Sequence, residues 1–383
     1  MKPRFLLSCG EPSGDVYAGA LTRELRALAP EATFTGLGGP CFAAAGGELL
    51  DDFRGLAVTG LTEVVAKLPK SRRVLSRLAR WACDHRPDAL IVVDYPDFNL
   101  RLAARVKTLG VPVVYYISPQ IWAWRAGRLK TILRVAERVL LIFPFEEAIY
   151  RDGGAPAGFA QFVGHPLVDL AKPSMGREAF LRTLGQDPNA PTVAILPGSR
   201  PNEVRRLLPD LMAAAALIRS RVPRAQFVVA RAPFLEDTLF APVRASGVSR
   251  AAVVEGDADT VLASADVAVM ASGTATVQAA LHDTPMVVVY RVSPMTYRLG
   301  RGLVKLDTFA MVNLIAGERI VPELIQDGLT PEAAASEAVS MLTDEARARR
   351  IRDGLARVRT RLGGPGASRR AAEAILQVAK RVD

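Results

Sequence analysis

The chain has 383 residues, 50% of them hydrophobic and 23% charged, which excludes a disordered segment and suits a folded protein of about two domains. Lysine and arginine number 49 against 39 aspartate and glutamate; the net charge of +10 favours an anionic partner (nucleotide, phospholipid surface or nucleic acid) or simply reflects a basic solvated surface. Three widely spaced cysteines (Cys9, Cys41, Cys83) and three scattered histidines (His85, His165, His282) argue against a disulfide framework and a zinc site, and no apolar run reaches the ~18–20 residues of a membrane span.

The chain opens Met1-Lys2-Pro3-Arg4 and then turns apolar. Leu6–Cys9 has a trace of a lipoprotein cleavage site, but the apolar stretch is too short for a signal peptide and Glu11 and Asp15 follow at once. It reads as the first strand of a cytoplasmic protein. Short β-branched runs then alternate with amphipathic, helix-length stretches. Strands are predicted at Phe5–Ser8, Thr33–Leu37, Ala89–Val93, Val113–Ile117, Val139–Phe143 and Gln161–Val163. In the second half they are predicted at Val193–Leu196, Gln226–Ala230, Val253–Glu255, Val267–Met270 and Met286–Tyr290. This alternation predicts an α/β fold with parallel sheets. The rhythm pauses over His165–Gly176, a linker candidate, and restarts with a helix at Arg177–Leu184. After Pro331 only helical periodicity remains; those helices either return to the first domain or exchange with a partner chain.

In doubly wound sheets, ligands sit beyond the C-terminal ends of the strands. The turns at those ends therefore hold the candidates. Ser8–Asp15 follows the first strand; Glu11 and Ser13 can touch a substrate group, or Ser13 and Asp15 merely cap the next helix. Gly36–Pro40, which includes Gly39, is a turn that lets a ligand near the backbone or is only a tight turn. Lys67–Trp81 is the main basic segment: Arg72, Arg73 and Arg77 interleave with Leu75, Leu78 and Trp81. That suits a helix lying on an anionic membrane, or a domain helix with a solvated basic face. Asp94 ends an apolar strand, where a carboxylate suits a general base, which must come within ~3 Å of a substrate hydroxyl; strand-end hydrogen bonding is the alternative. Asp97 has the place of an N-cap. Trp122 and Trp124 can line an acceptor pocket or pack in the core.

The second half carries the stronger pair. Leu196–Arg200 combines Gly198, Ser199 and Arg200 after a strand and before a helix holding Glu203; arginine is a permanent, bidentate phosphate ligand. Ala271–Thr276 ends a later strand and opens a helix. The free N–H groups over Ser272, Gly273, Thr274, Ala275 and Thr276 make a diphosphate cradle. Ala271–Thr276 is not a Walker loop, and Ser8–Asp15 in the first half is not a dinucleotide fingerprint. Asp257-Ala258-Asp259 has the form of a metal-binding acidic pair, but its place before a helix favours capping.

Through these residues the chain resembles the lipid-A-disaccharide synthase family over nearly its whole length. The match runs through Gly10–Asp15, Gly36–Pro40, Val93–Leu100, Ile117–Trp124, Phe143–Glu146, Phe162–Pro166, Leu196–Arg200, Ala271–Ala280, Pro285–Pro294, Val304–Lys305, Asn313–Gly317 and Val321–Gln326. The resemblance implies a GT-B-like fold, with two Rossmann-like doubly wound domains facing across a cleft and C-terminal helices. The domain bounds would be 1–170 (acceptor, catalytic and membrane-facing), 171–345 (UDP-sugar-binding) and 346–383 (helices). It implies transfer of 2,3-diacylglucosamine from its UDP derivative to 2,3-diacylglucosamine 1-phosphate, with inversion. The products would be a β-(1→6) disaccharide 1-phosphate and UDP. It implies no metal or other cofactor, no nucleic acid, and work at the cytoplasmic face of the bacterial inner membrane; a homodimer is compatible with it. Asp94 then matches the base, Glu11 and Ser13 the N-terminal loop, Arg200 a nucleotide-contacting arginine, Ser272–Thr276 the phosphate loop and Asn313 a further functional position. Gln278 stands where the family usually has Glu. The rivals are a UDP-N-acetylglucosamine epimerase on the same fold and a non-catalytic basic lipid- or nucleic-acid-binding protein.

Overall fold

The computed structural model describes residues 2–55, 61–121, 127–291 and 308–380. The chain forms two compact units, residues 1–166 with 362–383, and residues 167–361. In the first unit the strands are β1 (Arg4–Cys9), β2 (Thr33–Gly38), β3 (Glu48–Asp52), β4 (Ala89–Val93), β5 (Val113–Tyr116), β6 (Arg138–Leu141) and β7 (Ala160–Phe162). They make a parallel sheet in the order β3-β2-β1-β4-β5-β6-β7. Its centre is fully buried: Phe5, Leu6 and Leu7 of β1, all of β4 and all of β5 are 0% exposed. Such strands, covered by helices on both faces, are the unbroken apolar runs that made them legible. Helices Pro12–Leu28, Pro40–Ala44 and Pro96–Lys107 each begin on a proline, whose missing N–H is unneeded in a first turn.

The second unit holds β8 (Thr192–Leu196), β9 (Gln226–Arg231), β10 (Ala251–Glu255), β11 (Val267–Ala271), β12 (Met286–Tyr290) and β13 (Glu323–Ile325). These are again all parallel, in the order β10-β9-β8-β11-β12-β13. Both sheets reverse their winding once, between β1 and β4 and between β8 and β11. At such a point the connections leave to opposite faces and open a crevice beyond the strand ends.

Several expectations need correction. Residues 346–383 are not one piece: helix Glu345–Arg361 belongs to the second unit and helix Ala367–Ala379 packs on Pro12–Leu28 in the first. The chain crosses between units at 166/167 and returns at 361/362, and the His165 N–H donates to the Leu362 carbonyl (2.8 Å). The first boundary thus lies four residues before the expected one. Gly36 and Gly38 are not in a turn. They lie within β2, and a Cβ on Gly36 would stand 1.8 Å from the Leu7 carbonyl oxygen. Strand β5 stops at Tyr116, and Ile117 takes a left-handed backbone (φ 64°). The helix Leu61–His85 buries Val74, Leu75, Leu78 and Ala82 in the core of the first unit. Each fully buried Leu contributes about 1.5–3 kcal/mol. Those side chains are taken up by the core and are not offered to a membrane, so over 69–85 this is a domain helix with a solvated basic face.

Candidate functional site

In the first unit the crevice lies between the ends of β1 and β4. The residues after β4, Asp94 and Tyr95, are consecutive left-handed residues (φ 45° and 47°). For non-glycine residues this is a strained arrangement that persists only where the surroundings dictate it, and such strain gathers at functional sites. The surroundings are visible. The Asp94 N–H donates to the Tyr116 carbonyl (3.2 Å), and the Asp94 carbonyl accepts from Tyr115 Oη (2.8 Å) and Asn99 Nδ2 (2.8 Å). The Tyr95 ring lies against Gly10, where a Cβ would come within 2.1 Å of it, so the β1 and β4 loops touch. Burial, then the charges of Glu11 and Asp97, raise the Tyr95 phenol. Glu11, half-buried, is the N-cap residue of helix Pro12–Leu28; neither Ser13 nor Asp15 caps that helix. Asp15, 3% exposed, instead accepts from the N–H groups of Gly39 (2.8 Å), Cys41 (2.8 Å) and Phe42 (3.1 Å), and so caps the next helix. Cys9 also ends β1, but burial and the Asp15 charge push its thiol up, which leaves it without thiolate character.

The acceptor-side candidates divide. Gly39 is walled in: an added Cβ would meet Phe53 at 2.3 Å and Asp15 Oδ2 at 2.8 Å, so its role is close packing. Asp97 is not an N-cap; it is exposed and pairs with Arg128, whose side chain is 14% exposed. Arg72 and Arg73 are exposed. Arg77 donates to the Leu50 carbonyl (2.9 Å) and pairs with Asp51 (3.1 Å), while Arg73, Ser76, Arg77 and Arg80 line a shallow groove. Trp122, with Trp124, lies outside the described residues.

In the second unit both candidate loops sit at the reversal point, after β8 and β11, yet they differ. After β8, Gly198 takes φ 116° and an added Cβ would stand 2.5 Å from Glu203 Oε2. That oxygen accepts from the N–H groups of Ser199 (3.0 Å) and Arg200 (3.2 Å), with Arg200 Nη1 3.6 Å from Glu203 Oε1. The start of helix Pro201–Arg221 is thus filled by its own carboxylate. After β11 the helix Thr274–Leu281 opens differently. Gly273 and Thr274 are exposed and Ala275 is half-buried; among the described residues, its chain neighbours aside, no atom stands within 4 Å of where a Gly273 Cβ would be. Their N–H groups precede the first intrahelical bond, so they and the positive end of the helix face outward. Thr276 turns inward, donating to the Gly273 carbonyl (2.8 Å), and Ser272 Oγ donates to the Phe309 carbonyl (2.9 Å).

Behind this loop lies a buried scaffold that sequence reading underrated. Asn313, 0% exposed, donates to the Val321 carbonyl (3.0 Å) and to Glu323 (2.6 Å) and accepts from the N–H groups of Ile320 (2.9 Å) and Val321 (3.0 Å). Its amide is engaged within the fold, so it supports the site from behind. Glu323 also accepts from the N–H groups of Phe309 (2.8 Å) and Ala310 (3.0 Å), tying β13 to the segment that Ser272 touches. Gln278 donates to Asp259 (3.0 Å), which also meets His282 Nε2 (2.8 Å). A glutamate at 278 would face the Asp259 carboxylate, and the amide avoids that repulsion. Asp257 accepts from the Thr260 N–H, the cap expected of it. Among the described residues no group of three or more His, Cys, Asp or Glu side chains is placed to hold a metal, and no helix is long and apolar enough to cross a membrane.

A family profile described as Lipid-A-disaccharide synthetase matches residues 5–378. A lipid-A-disaccharide synthase of Myxococcus xanthus is 46% identical over 377 residues, covering 98% of this chain and 97% of its own. Among solved structures, the UDP-GlcNAc 2-epimerase of Neisseria meningitidis bound to UDP-GlcNAc superposes with a TM-score of 0.69 at 13% identity, covering 98% of this chain and 100% of its own. The glycotransferase of kitacinnamycin superposes with 0.61 at 17%, covering 99% and 100%. At these identities the structural likeness speaks for the fold alone.

Proposed function

The chain belongs to the lipid-A-disaccharide synthase family and is a glycosyltransferase, and from that premise we propose that it transfers 2,3-diacylglucosamine from UDP-2,3-diacylglucosamine to 2,3-diacylglucosamine 1-phosphate. Asp94 takes the proton of the acceptor's 6-hydroxyl as that oxygen attacks the donor's C1. The C1–O bond to UDP breaks on the opposite side, so the configuration inverts and a β-(1→6) disaccharide 1-phosphate and UDP result. The exposed start of helix Thr274–Leu281 and the Arg200 guanidinium take up the charge that develops on the departing diphosphate. That supplies electrostatically what a divalent cation supplies elsewhere, so the reaction needs no metal. The exposed Arg72 and Arg73 draw the first unit to an anionic cytoplasmic membrane face by charge alone.

One observation supports this reading above the others. Asp94 lies at the winding reversal of one parallel sheet and the open Gly273–Ala275 helix start at that of the other. The test is UDP release by purified protein from UDP-2,3-diacylglucosamine in EDTA, with and without the phosphorylated acceptor. Release that requires acceptor and ignores EDTA is expected. Turnover of the UDP-sugar without acceptor would indicate an epimerase, and no release under any condition a binding protein.

A further inference from the structure

Asn99 is 0% exposed, and its amide does not cap the helix Pro96–Lys107 in which it lies. Its Nδ2 reaches three carbonyls at the ends of two neighbouring strands: Asp94 (2.8 Å), Val93 (3.2 Å) and Ser8 (3.2 Å). Its Oδ1 accepts from Ser8 Oγ (2.6 Å). The pairing of β1 with β4 ends at Cys9 and Val93, so these carbonyls lie in the last residues of that pairing and just beyond it. Buried and unmet, each would cost about 1–3 kcal/mol. The position demands a donor and an acceptor on one short side chain. An aspartate lacks the donor and a leucine lacks both. Tyr115, also 0% exposed, adds its hydroxyl to the same Asp94 carbonyl (2.8 Å).

We propose that Asn99, assisted by Tyr115, is a positioning residue for the transfer: it locks the Asp94 peptide in its left-handed conformation and ties it to Ser8, which leads into the Glu11 loop. The proposal rests on the reading of Asp94 as the base. Asn99 acts through Asp94 and touches neither substrate. The strain at Asp94 and Tyr95 is held in place by donors converging on one carbonyl, and without them the peptide can relax and swing the carboxylate away from the acceptor hydroxyl. A misplacement of about 1 Å in a catalytic group can cost roughly 100-fold in rate.

The experiment is a double-mutant cycle on acceptor-dependent UDP release. Asn99→Ala is expected to lower kcat about 30- to 100-fold. Tyr115→Phe, which removes one hydroxyl and leaves the buried ring, is expected to lower it about 3- to 10-fold and keeps the test valid should Asn99→Ala fail to fold. In both, UDP affinity and the acceptor KM stay within about twofold, because neither residue binds substrate. Added to Asp94→Asn, either change is expected to cost nothing further, since the group it positions is already disabled. Losses that add in full to Asp94→Asn, or a lowered Tm with unchanged kcat per folded molecule, would overturn the positioning role. Full turnover by Asp94→Asn alone would instead remove the base assignment on which it rests, a result distinct from the other two.

Discussion

The reversal points of the two sheets are built from the same topology and solved in opposite ways. In the first unit the strand ends are closed: Asp94 and Tyr95 sit in strained backbone, Asn99 and Tyr115 are fully buried behind them, and Gly10 and Gly39 leave no room for a side chain. In the second unit one loop is filled by Glu203 while the other stands open at Gly273 and Thr274. The difference is what the proposed roles of the two ends require. A base has to be held at one place to within a fraction of an ångström. A diphosphate needs N–H groups and positive potential left unoccupied until it arrives.

The sharpest way to break the comparison is at Asp94. Asn is the closest replacement in shape and tolerates left-handed backbone, so Asp94→Asn removes the basic group without disturbing the turn. General-base catalysis supplies ~10²–10⁴-fold, and kcat is expected to fall by that range while UDP binding, measured by calorimetry, is unchanged. Parallel loss of both would mean that the first unit shares in holding the nucleotide and that the division of labour is wrong.

A second test bears on the open loop. Thr274 is the first residue of its helix and exposed. In Thr274→Glu a carboxylate competes for the N–H groups and repels a diphosphate, and UDP affinity is expected to fall about 10-fold, some 1.4 kcal/mol. The same carboxylate favours the helix dipole by about 0.3–1 kcal/mol, so Tm should hold or rise. Unaltered UDP affinity at a raised Tm would move the diphosphate elsewhere.

The strands were legible because central parallel strands are long apolar runs. The two that escaped show the limit: β3 (Glu48–Asp52) is a half-exposed edge rich in acidic residues, and β13 (Glu323–Ile325) is three residues long. Glycine misled where its reason was tertiary; Gly36 reads as a turn, but the Leu7 backbone is what forbids a side chain there. The candidate site was legible as loops and not as bonds. Spacing placed Asp94 and Gly273 at strand ends. It could not show that Asp15 caps another helix, that Asn313 is engaged inward, or that Ser8 and Asn99 meet across 91 residues, because those pairings exist only once the sheet has formed. Asn99 lay within the Asp94–Asn99 motif, whereas Tyr115 sits in a strand of apolar residues with nothing to distinguish it.

The closed character of the first unit has a pH signature. His165, 1% exposed among Tyr17 and Phe143, has its pKa lowered to about 3 by burial. The unfolded chain binds a proton there below about pH 6.5 and the folded one does not, so stability is lost as pH falls from about 6.5 towards 3. The slope from this one residue is up to about 1.4 kcal/mol per pH unit. His165→Gln should flatten urea-unfolding stability across that window by the same amount. An equally steep dependence in the variant would assign the acid sensitivity to other groups.

The smallest effect is expected at Glu203, and it separates the two loops of the second unit most directly. Glu203 Oε2 holds the N–H groups of Ser199 and Arg200, and Gly198 approaches it so closely that no side chain fits between. If that carboxylate is a cap and not a ligand of the nucleotide, Glu203→Ala removes the acceptor shared by two N–H groups at a helix start, a change worth about 0.5–2 kcal/mol. Chemical denaturation should show that loss, with UDP affinity altered less than about threefold, because Arg200 keeps its charge whatever its cap. An affinity loss as large as that expected for Thr274→Glu would mean that Glu203 sets the phosphate-facing geometry of Arg200. Both loops would then share the diphosphate, and the contrast between a filled helix start and an open one would describe the free protein only.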